Sequence, residues 1–418
     1  MTGGLMKTTT SRLALAAIAS VVATGAYAAD LGGNCCVDLE ERVAELEATT
    51  ALKGNRKMSL TVSGQVNKAI IWHNSDDVLA RRQGDFTITD NLASQTRFRF
   101  TGSAKLDADR TVGFNLELGI AENEGVGLSA GSNSFHRVRQ SNVYIASKTL
   151  GTVTLGMQNG ATESLWDISL ANIGTSGSQG DNDFAQQVAG PTGNAFDNAF
   201  VSYNAGRAQA ISYTTPVFAG FVMAAAYWHG SAPAAESVDD DTTGWDIALR
   251  YAGEFNGIRL AAGIGYREFQ QQTVSTETDS FVLGSASAMH VPTGLFISGG
   301  YGQRDRSGTD VAGDDVKGWH IEAGIERNFF GIGNTTLFGE YSETNYDMTT
   351  GTTTVATASA FNDGNYWGLG IVQNLAAGSS DLYLRYRSYE GTGIERGADG
   401  TAIGNDISVL SAGMIVKF

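Results

Sequence analysis

The chain ends with SAGMIVKF, residues 411–418, and this stretch decides the fold class. Successive side chains of an extended strand point to opposite faces, so every second residue lies on the same side. The residues that fall on one apolar face are Ala412, Met414, Val416 and Phe418. The pattern runs to the last residue without a polar tail. The sequence therefore predicts a terminal β-strand whose final aromatic residue is part of the structure.

The same period-2 alternation recurs upstream from residue 57 to the C-terminus. Short extended segments bounded by glycine-rich or polar junctions are typical of β-strands. The segments are 57–73, 94–106, 110–121, 137–147, 151–158, 207–215, 219–229, 243–252, 256–268, 279–290, 294–303, 316–328, 333–343, 364–374, 380–389 and 405–418. The sequence therefore predicts sixteen strands and an all-β fold.

The connections between these segments alternate in length. Even-numbered segments are followed by tight junctions, whereas odd-numbered segments are followed by long polar ones such as 74–93, 122–136 and 230–242. All tight turns then lie on one side and all long loops on the other, as in a transmembrane β-barrel meander. We expect a 16-stranded antiparallel barrel with both chain ends on the turn side. The last strand, ending in Phe418, would close the barrel against the first, since an open sheet edge is not tolerated in lipid.

The alternation also indicates which face meets lipid. In TRFRF, Phe98 and Phe100 share one face, and Arg97 and Arg99 share the other. A soluble β-sandwich alternates in the same way, but an export signal and aromatic residues near strand ends favour the membrane. The aromatic residues assigned to interfacial girdles are Trp72, Tyr144, Trp228, Trp245, Trp319 and Trp367. The charged faces would then line a lumen.

The N-terminus carries an export pattern in residues 1–28. Lys7 and Arg12 precede an apolar run at 13–23, and Ala26 and Ala28 form a small-x-small cleavage pattern. This arrangement is typical of a signal peptide that is removed after export through the inner membrane. An uncleaved anchor is disfavoured because the apolar run is too short to span a bilayer.

Residues 29–56 form a separate N-terminal periplasmic segment in this interpretation, before the barrel at 57–418. Leu39, Val43 and Leu46 continue a 3,4 spacing typical of a coiled coil. The alternatives are a short self-associating bundle, which would make the protein an oligomer, and a single amphipathic helix lying on its own domain. Two neighbouring cysteines, Cys35 and Cys36, are either free thiols or form bonds between subunits, because a bond between adjacent residues is strained.

Composition excludes several classes of protein. The 418 residues include 53 Gly and only 4 Pro, and carry a formal net charge of −16. An acidic chain is a poor partner for nucleic acid, because phosphate binding requires basic patches. No segment approaches the ~18 consecutive apolar residues of a spanning helix.

Two internal stretches and the C-terminus resemble Gram-negative general porins. The stretches are GTVTLGMQNG at 151–160 and AISYTTPVFAGFVMAAAYW at 210–228, and SAGMIVKF resembles the C-terminal aromatic signature of outer-membrane proteins, which the assembly machinery reads. The helical segment at 36–53 resembles one that precedes the barrel in some alphaproteobacterial porins. This resemblance implies a homotrimer in the lipid of the outer membrane that passes ions and small hydrophilic solutes passively, without a cofactor. Porins usually carry a basic residue where Met157 stands, which puts one wall charge in doubt.

The longest connection, 159–206, has the position of the porin loop that folds into the barrel and narrows it. The resemblance implies that this loop places acids on one side of a constriction, namely Glu163, Asp167, Asp181 and Asp183. A basic wall would face them, formed by Arg97, Arg99, Arg137, Arg139, Arg385 and Arg387. Opposed charges across a narrow aqueous gap create a transverse field that favours small polar solutes. The alternative is that these are ordinary lumen charges solvated by channel water.

Other functions find little support in the residues. GLSAG at 127–131 matches a nucleophile motif but lacks the strand-turn-helix context that exposes a catalytic serine. The five histidines are scattered without ligand spacing, so the sequence indicates no metal site. A barrel enzyme would need catalytic groups at a strand rim, and a large energised transporter would need a plug domain before the barrel. A protein that tethers the membrane to the cell wall through the N-terminal helix remains the alternative, although it leaves the long loop unexplained.

Overall fold

A computed structural model shows a single antiparallel sheet that closes on itself. The structure describes residues 58–75, 86–91, 94–120, 137–174, 203–231, 241–271, 278–307, 314–348, 363–375, 379–392 and 406–418. The predicted signal peptide, the predicted helix with Leu39, Val43 and Leu46, and the loop acids Asp181 and Asp183 lie outside these ranges. Within them, no helix is long and apolar enough to cross a membrane.

The described residues form seventeen strands in the sheet. The strands are β1 (Ser59–Ser75), β2 (Phe86–Asp90), β3 (Arg97–Lys105), β4 (Arg110–Gly119), β5 (Arg137–Ser147), β6 (Gly151–Asn159), β7 (Arg207–Thr214), β8 (Phe221–Ser231), β9 (Asp241–Phe255), β10 (Ile258–Gln271), β11 (Thr278–His290), β12 (Leu295–Ser307), β13 (Asp314–Arg327), β14 (Thr335–Met348), β15 (Asp363–Leu375), β16 (Ser380–Thr392) and β17 (Asp406–Lys417). Because β2 and β3 pair in tandem along β1, they count as one stave, and seventeen strands make sixteen staves.

The barrel closes where the last strand meets the first, as the C-terminal pattern predicted. β17 pairs antiparallel with β1, from Gln65 opposite Lys417 to Ser75 opposite Ile407. Phe418 extends the seam, since its N–H and carbonyl exchange hydrogen bonds of 3.0 and 2.8 Å with Gly64. Each described strand other than β2, which pairs with β1 alone, therefore has a partner on both sides, as a sheet in lipid requires.

One predicted boundary is wrong. The sequence pattern predicts a loop at 74–93 and a second strand that begins at 94, but β2 occupies Phe86–Asp90 and β3 begins at Arg97. The second stave therefore begins earlier than predicted, at Phe86, and its pairing with β1 is interrupted between Asp90 and Arg97. The predicted segment 137–147 coincides with β5, and the other strands begin and end within a few residues of their predicted bounds.

Exposure alternates along the strands and separates an outer apolar face from the lumen. Trp72, Trp245, Trp319 and Trp367 are each about two-fifths exposed on the outer face, as predicted for interfacial residues. The assignment of Trp228 was wrong, because this side chain is buried with Ala208 and Ala210 on the inner face.

Tyr144 was also assigned to the wrong face. It shares the inner face with Asn142, alternating with the exposed Val143 and Ile145, and its ring occupies the space beside Gly113. Neither Tyr144 nor Trp228 therefore belongs to an aromatic girdle.

Candidate functional site

The connection that follows β6 turns into the barrel. We call residues 160–174 the loop root. Its backbone runs along the inner wall, where the N–H groups of Ile168 and Leu170 donate to the hydroxyls of Ser285 and Ser287 on β11, both at 3.0 Å. Further along, the N–H of Asn172 donates to Glu326 Oε2 of β13 at 2.7 Å. The predicted inward course of the long loop is thus observed for its first fifteen residues (160 to 174).

The loop root packs closely against the inner wall of the barrel. Leu165 and Trp166 are buried against β8, β9 and β11. On β10, a Cβ at Gly265 would lie 2.6 Å from the Leu165 side chain, so any larger residue there would displace it. Burial of two large apolar side chains at the root contributes on the order of 1.5–3 kcal/mol each. The root is therefore a packed part of the barrel interior.

Two arginines of the wall hold the loop, and the sequence analysis did not single them out. Arg250 on β9 donates through Nη2 to the carbonyls of Ala161 and Glu163, both at 2.7 Å. Arg267 on β10 donates through Nη1 to the carbonyl of Asn204, also at 2.7 Å. A guanidinium can serve several carbonyls at once because it carries five donors in a fixed fork. The signal that could have revealed them is their position in the alternation, on the lumen face.

The two described loop acids lie at the root and bind the returning end of the same loop. Glu163 Oε2 accepts a hydrogen bond of 2.7 Å from the N–H of Gly206. Asp167 Oδ1 lies 3.4 Å from Asn204 Nδ2. These contacts join the two ends of the loop. In these contacts, Glu163 and Asp167 bind the loop itself and not the predicted basic wall of β3, β5 and β16.

A first basic cluster lies on β3 and β5 around a carboxylate of β4. Arg99 pairs with Glu117 through both Nε, at 2.6 Å, and Nη2. Arg139 Nε donates to the other oxygen of Glu117 at 2.6 Å, and Arg97 Nε lies 4.0 Å from it. We call these four residues the β3–β5 cluster. Arg137 is the first residue of β5, and its side chain lies outside the described part.

A second basic cluster lies on β16 around a carboxylate of β14. Arg385 donates to Glu340 at 2.7 and 2.5 Å, and Arg387 donates to the same carboxylate at 3.0 and 2.9 Å. The Arg387 guanidinium also lies over the Tyr366 ring, 4.4 Å from its centroid. We call Arg385, Arg387 and Glu340 the β16 cluster.

The two clusters differ in their access to the lumen. The side chain of Arg99 is 39% exposed, whereas those of Arg385 and Arg387 are 1% exposed. An exposed guanidinium in a water-filled space can meet a passing ion, but a buried one that is paired with a carboxylate acts mainly on its neighbours. Five of the six arginines predicted to form one wall thus fall into two separate clusters, and the sixth is Arg137.

No metal-binding cluster accompanies these charges in the part of the chain that the structure describes. There, no group of three or more His, Cys, Asp and Glu side chains could hold a metal ion. The motif GLSAG at 127–131 lies outside the described ranges.

Comparison with known proteins places this geometry in a family. The family model described as Gram-negative porin matches residues 14–406. No curated protein matches the sequence.

Solved structures share the fold. The anion-selective porin from Comamonas acidovorans is 19% identical, with a TM-score of 0.59 over 86% of this chain and 100% of that one. The outer membrane channel DcaP of Acinetobacter baumannii is 11% identical, with a TM-score of 0.56 over 88% of this chain and 99% of that one. The trimer form of OmpT, an outer membrane protein of Vibrio cholerae, is 11% identical, with a TM-score of 0.55 over 86% and 99% of the two chains.

A closed barrel with a loop folded into its lumen is the architecture of a channel. The family match over most of the sequence identifies the class of channel. The chain belongs to the Gram-negative porin family. It is an outer-membrane channel for passive diffusion, and its family and fold are those of non-enzymatic channels.

Proposed function

We propose that this porin conducts ions and small hydrophilic solutes as a homotrimer, without enzymatic activity, through a constriction between the loop root and the β3–β5 cluster, and that it favours anions there. The observation that supports the anion preference is the partly exposed β3–β5 cluster on the inner wall. Its three guanidinium groups and one carboxylate sum to a net charge of +2. In a narrow aqueous space with low-dielectric walls, that charge raises the local concentration of anions.

The other predicted constriction residues have different weights in this proposal. Arg385 and Arg387 are buried, so they act through the field at the wall and through the stability of the β16 cluster rather than by direct contact. Glu163 and Asp167 hold the loop closed at its root. Arg137, Asp181 and Asp183 remain predictions from the sequence.

The trimer proposal is supported by an asymmetry of the wall. Strands β3 to β7 have 8–11 residues, whereas β9 to β16 have 13–15. The outer face of the short sector carries an apolar groove of about 440 Å³ lined by residues that include Val112, Phe114, Val143 and Leu155. The Trp–Tyr pairs of the described outer face instead lie along the long sector, for example Trp319 with Tyr341. We infer that the short sector, whose outer face is apolar but carries no such pair among the described residues, packs against a second copy of the chain, since Trp and Tyr concentrate where a barrel meets the lipid interface.

The N-terminal segments complete the proposal. Residues 1–28 would direct export, and Leu39, Val43 and Leu46 would assist association of the subunits. Phe418 would serve both as the last link of the barrel seam and as the assembly signal. A role of the N-terminal helix as a cell-wall tether is the less favoured alternative, because the packed loop root serves a channel and not an anchor.

The test is conductance of purified, unboiled protein in a planar bilayer, with the reversal potential measured across a salt gradient. We expect openings in multiples of three and an anion preference that falls in Arg99→Ala, since one of two net positive charges is removed. Arg259→Ala is the matched control, because Arg259 is paired with Glu254 close to the turn-side end of β10. A folded barrel that inserts and does not conduct would refute the channel. An unchanged reversal potential in Arg99→Ala would refute the role of the cluster.

A further inference from the structure

The interruption between β2 and β3 places a second segment of the chain inside the barrel. β1 pairs with β2 down to Lys68 opposite Asp90, and with β3 from Gln65 opposite Arg97. Only two residues of β1, 66 and 67, therefore lie opposite six residues of the chain, 91–96. Six residues cannot pair with two at the spacing of a strand. Of this stretch, the structure describes Asn91 and residues 94–96.

Hydrogen bonds show that these four residues, the described part of the segment, lie on the lumen side. Gln65, whose side chain is buried on the inner face of β1, donates through Nε2 to the carbonyls of Ser94 and Gln95, both at 3.0 Å. Asn67 donates through Nδ2 to the Ser94 carbonyl, also at 3.0 Å. The returning end is fixed by Thr96, whose N–H donates to Asp90 Oδ2 at 3.0 Å.

The segment is also tied to strands beyond its neighbours. Asn91 Nδ2 donates to the hydroxyl of Tyr383 on β16 at 2.9 Å, and that hydroxyl donates to Asn67 Oδ1 at 2.8 Å. Tyr383 can cross the intervening strand because Gly413 of β17 has no side chain, and a Cβ there would overlap the ring. On the other side, Gln95 Oε1 accepts a hydrogen bond of 3.0 Å from Arg139 Nη1 of the β3–β5 cluster.

The segment and the loop root face each other across the barrel. From the stave of β2 and β3, the order β4, β5, β6, β7, β8, β9, β10, β11 is eight steps, half of the sixteen staves. β11 supplies the serines that hold the loop root. Both attachments lie near the middle of their strands, Asn67 in β1 and Ser285 in β11.

We propose that Asn91 and residues 94–96 form a second constriction element, which narrows the channel from the side opposite the loop root and sets its conductance together with that root. The proposal rests on the channel function. Asn91, Ser94 and Thr96 are buried in these contacts, whereas Gln95 is half-buried beside Arg139 and is the described side chain of the segment that borders the lumen. Its contribution is therefore to restrict the size of the opening, whereas the β3–β5 cluster supplies the charge.

Thiol modification tests this directly. Cys35 and Cys36 are replaced with serine, and Gln95→Cys, Asn115→Cys and Val143→Cys are made separately in that background. Asn115 lies on the inner wall of β4, and Val143 is exposed on the outer face of β5. Each channel is treated with a negatively charged methanethiosulfonate reagent while single-channel current is recorded, and labelling is checked by mass.

We expect modification of Gln95→Cys to cause a stepwise loss of current that is larger than the loss at Asn115→Cys, and no effect at Val143→Cys. The proposal is overturned if Gln95→Cys is labelled without a loss of current, or if it stays unlabelled while Asn115→Cys reacts. If Gln95→Cys does not fold, Gln95→Ser is expected to raise conductance, because it shortens a side chain in the opening, and unchanged conductance would overturn the proposal. Absence of conductance in the unmodified protein would instead count against the channel itself.

Discussion

Replacing Glu340 with Gln is expected to destabilise the barrel strongly. The carboxylate accepts four hydrogen bonds, of 2.5–3.0 Å, from Arg385 and Arg387. The three side chains are 1–3% exposed. Glutamine keeps the size of the side chain and removes its charge, so two guanidinium groups remain buried without their counterion. Breaking a buried pair in this way costs about 3–5 kcal/mol.

The free energy of unfolding is measured by equilibrium urea titration in detergent micelles, with folded and unfolded forms separated by gel mobility. Glu254→Gln is the matched control, because it makes the same chemical change in a pair that is 3.3 Å apart and 25–35% exposed. Exposed pairs contribute about 0–1 kcal/mol, so the control should unfold close to the wild type.

A second variant, in which all three charges are removed, should be less destabilised. Replacing Glu340, Arg385 and Arg387 together with glutamine removes the uncompensated charge, so the triple variant should be more stable than Glu340→Gln alone. A loss below about 1 kcal/mol in Glu340→Gln would show that the buried arginines do not depend on this carboxylate. If Glu340→Gln fails to fold while the triple variant folds, the yield of folded barrel shows that the buried arginines depend on this carboxylate.

Three further outcomes follow from named contacts. Arg250→Ala removes two hydrogen bonds of 2.7 Å to the loop root, so we expect noisier and larger single-channel currents than in the control Arg259→Ala; identical current traces would contradict the clamp. Gly413→Ala forces Tyr383 to move and should cost about 1–3 kcal/mol, and the loss should shrink in a Tyr383→Ala background if the overlap is its cause. In the turn after β3, the backbone N–H groups of Arg110 and Asp109 donate to the Asp107 carboxylate and lower its pKa, that of Arg110 most. The stability that these bonds contribute is therefore present at neutral pH and is lost as the pH falls through the pKa of Asp107 in the folded state. The stability difference between wild type and Asp107→Ala should thus be larger at pH 7 than at pH 2, and a difference independent of pH would refute this.

The sequence predicted the barrel because its evidence is local. Alternation along each strand and the lengths of the joints are properties of neighbouring residues, and together they gave the strand number and the closing role of Phe418. The same reasoning failed at Trp228, which follows a run of alanines, MAAAYW at 223–228. Small residues mark neither face, so the alternation has no phase there. At Tyr144 the alternation with Val143 and Ile145 already indicated the inner face, but the residue was assigned to the outer girdle because it is aromatic.

The partners of the charged residues were beyond local reasoning. Arg99 and Glu117 meet because register places them opposite each other on β3 and β4. Arg385 reaches Glu340 across the intervening β15, where Gly368 and Gly370 lie between the two strands. A sequence lists such residues as separate charges, and their pairing depends on which strands become neighbours.

The sequence alone determined the architecture of this porin: an all-β chain, sixteen staves, an apolar outer face and a charged lumen. Only the tertiary structure decided which arginines are exposed and which are buried, how Arg250 holds the loop root, and that Asn91 and residues 94–96 lie on the lumen side of the sheet. The physical reason is the range of the interactions. The period of a strand is set by adjacent residues, whereas the contents of the lumen are set by hydrogen bonds and packing between segments that the closed sheet brings together.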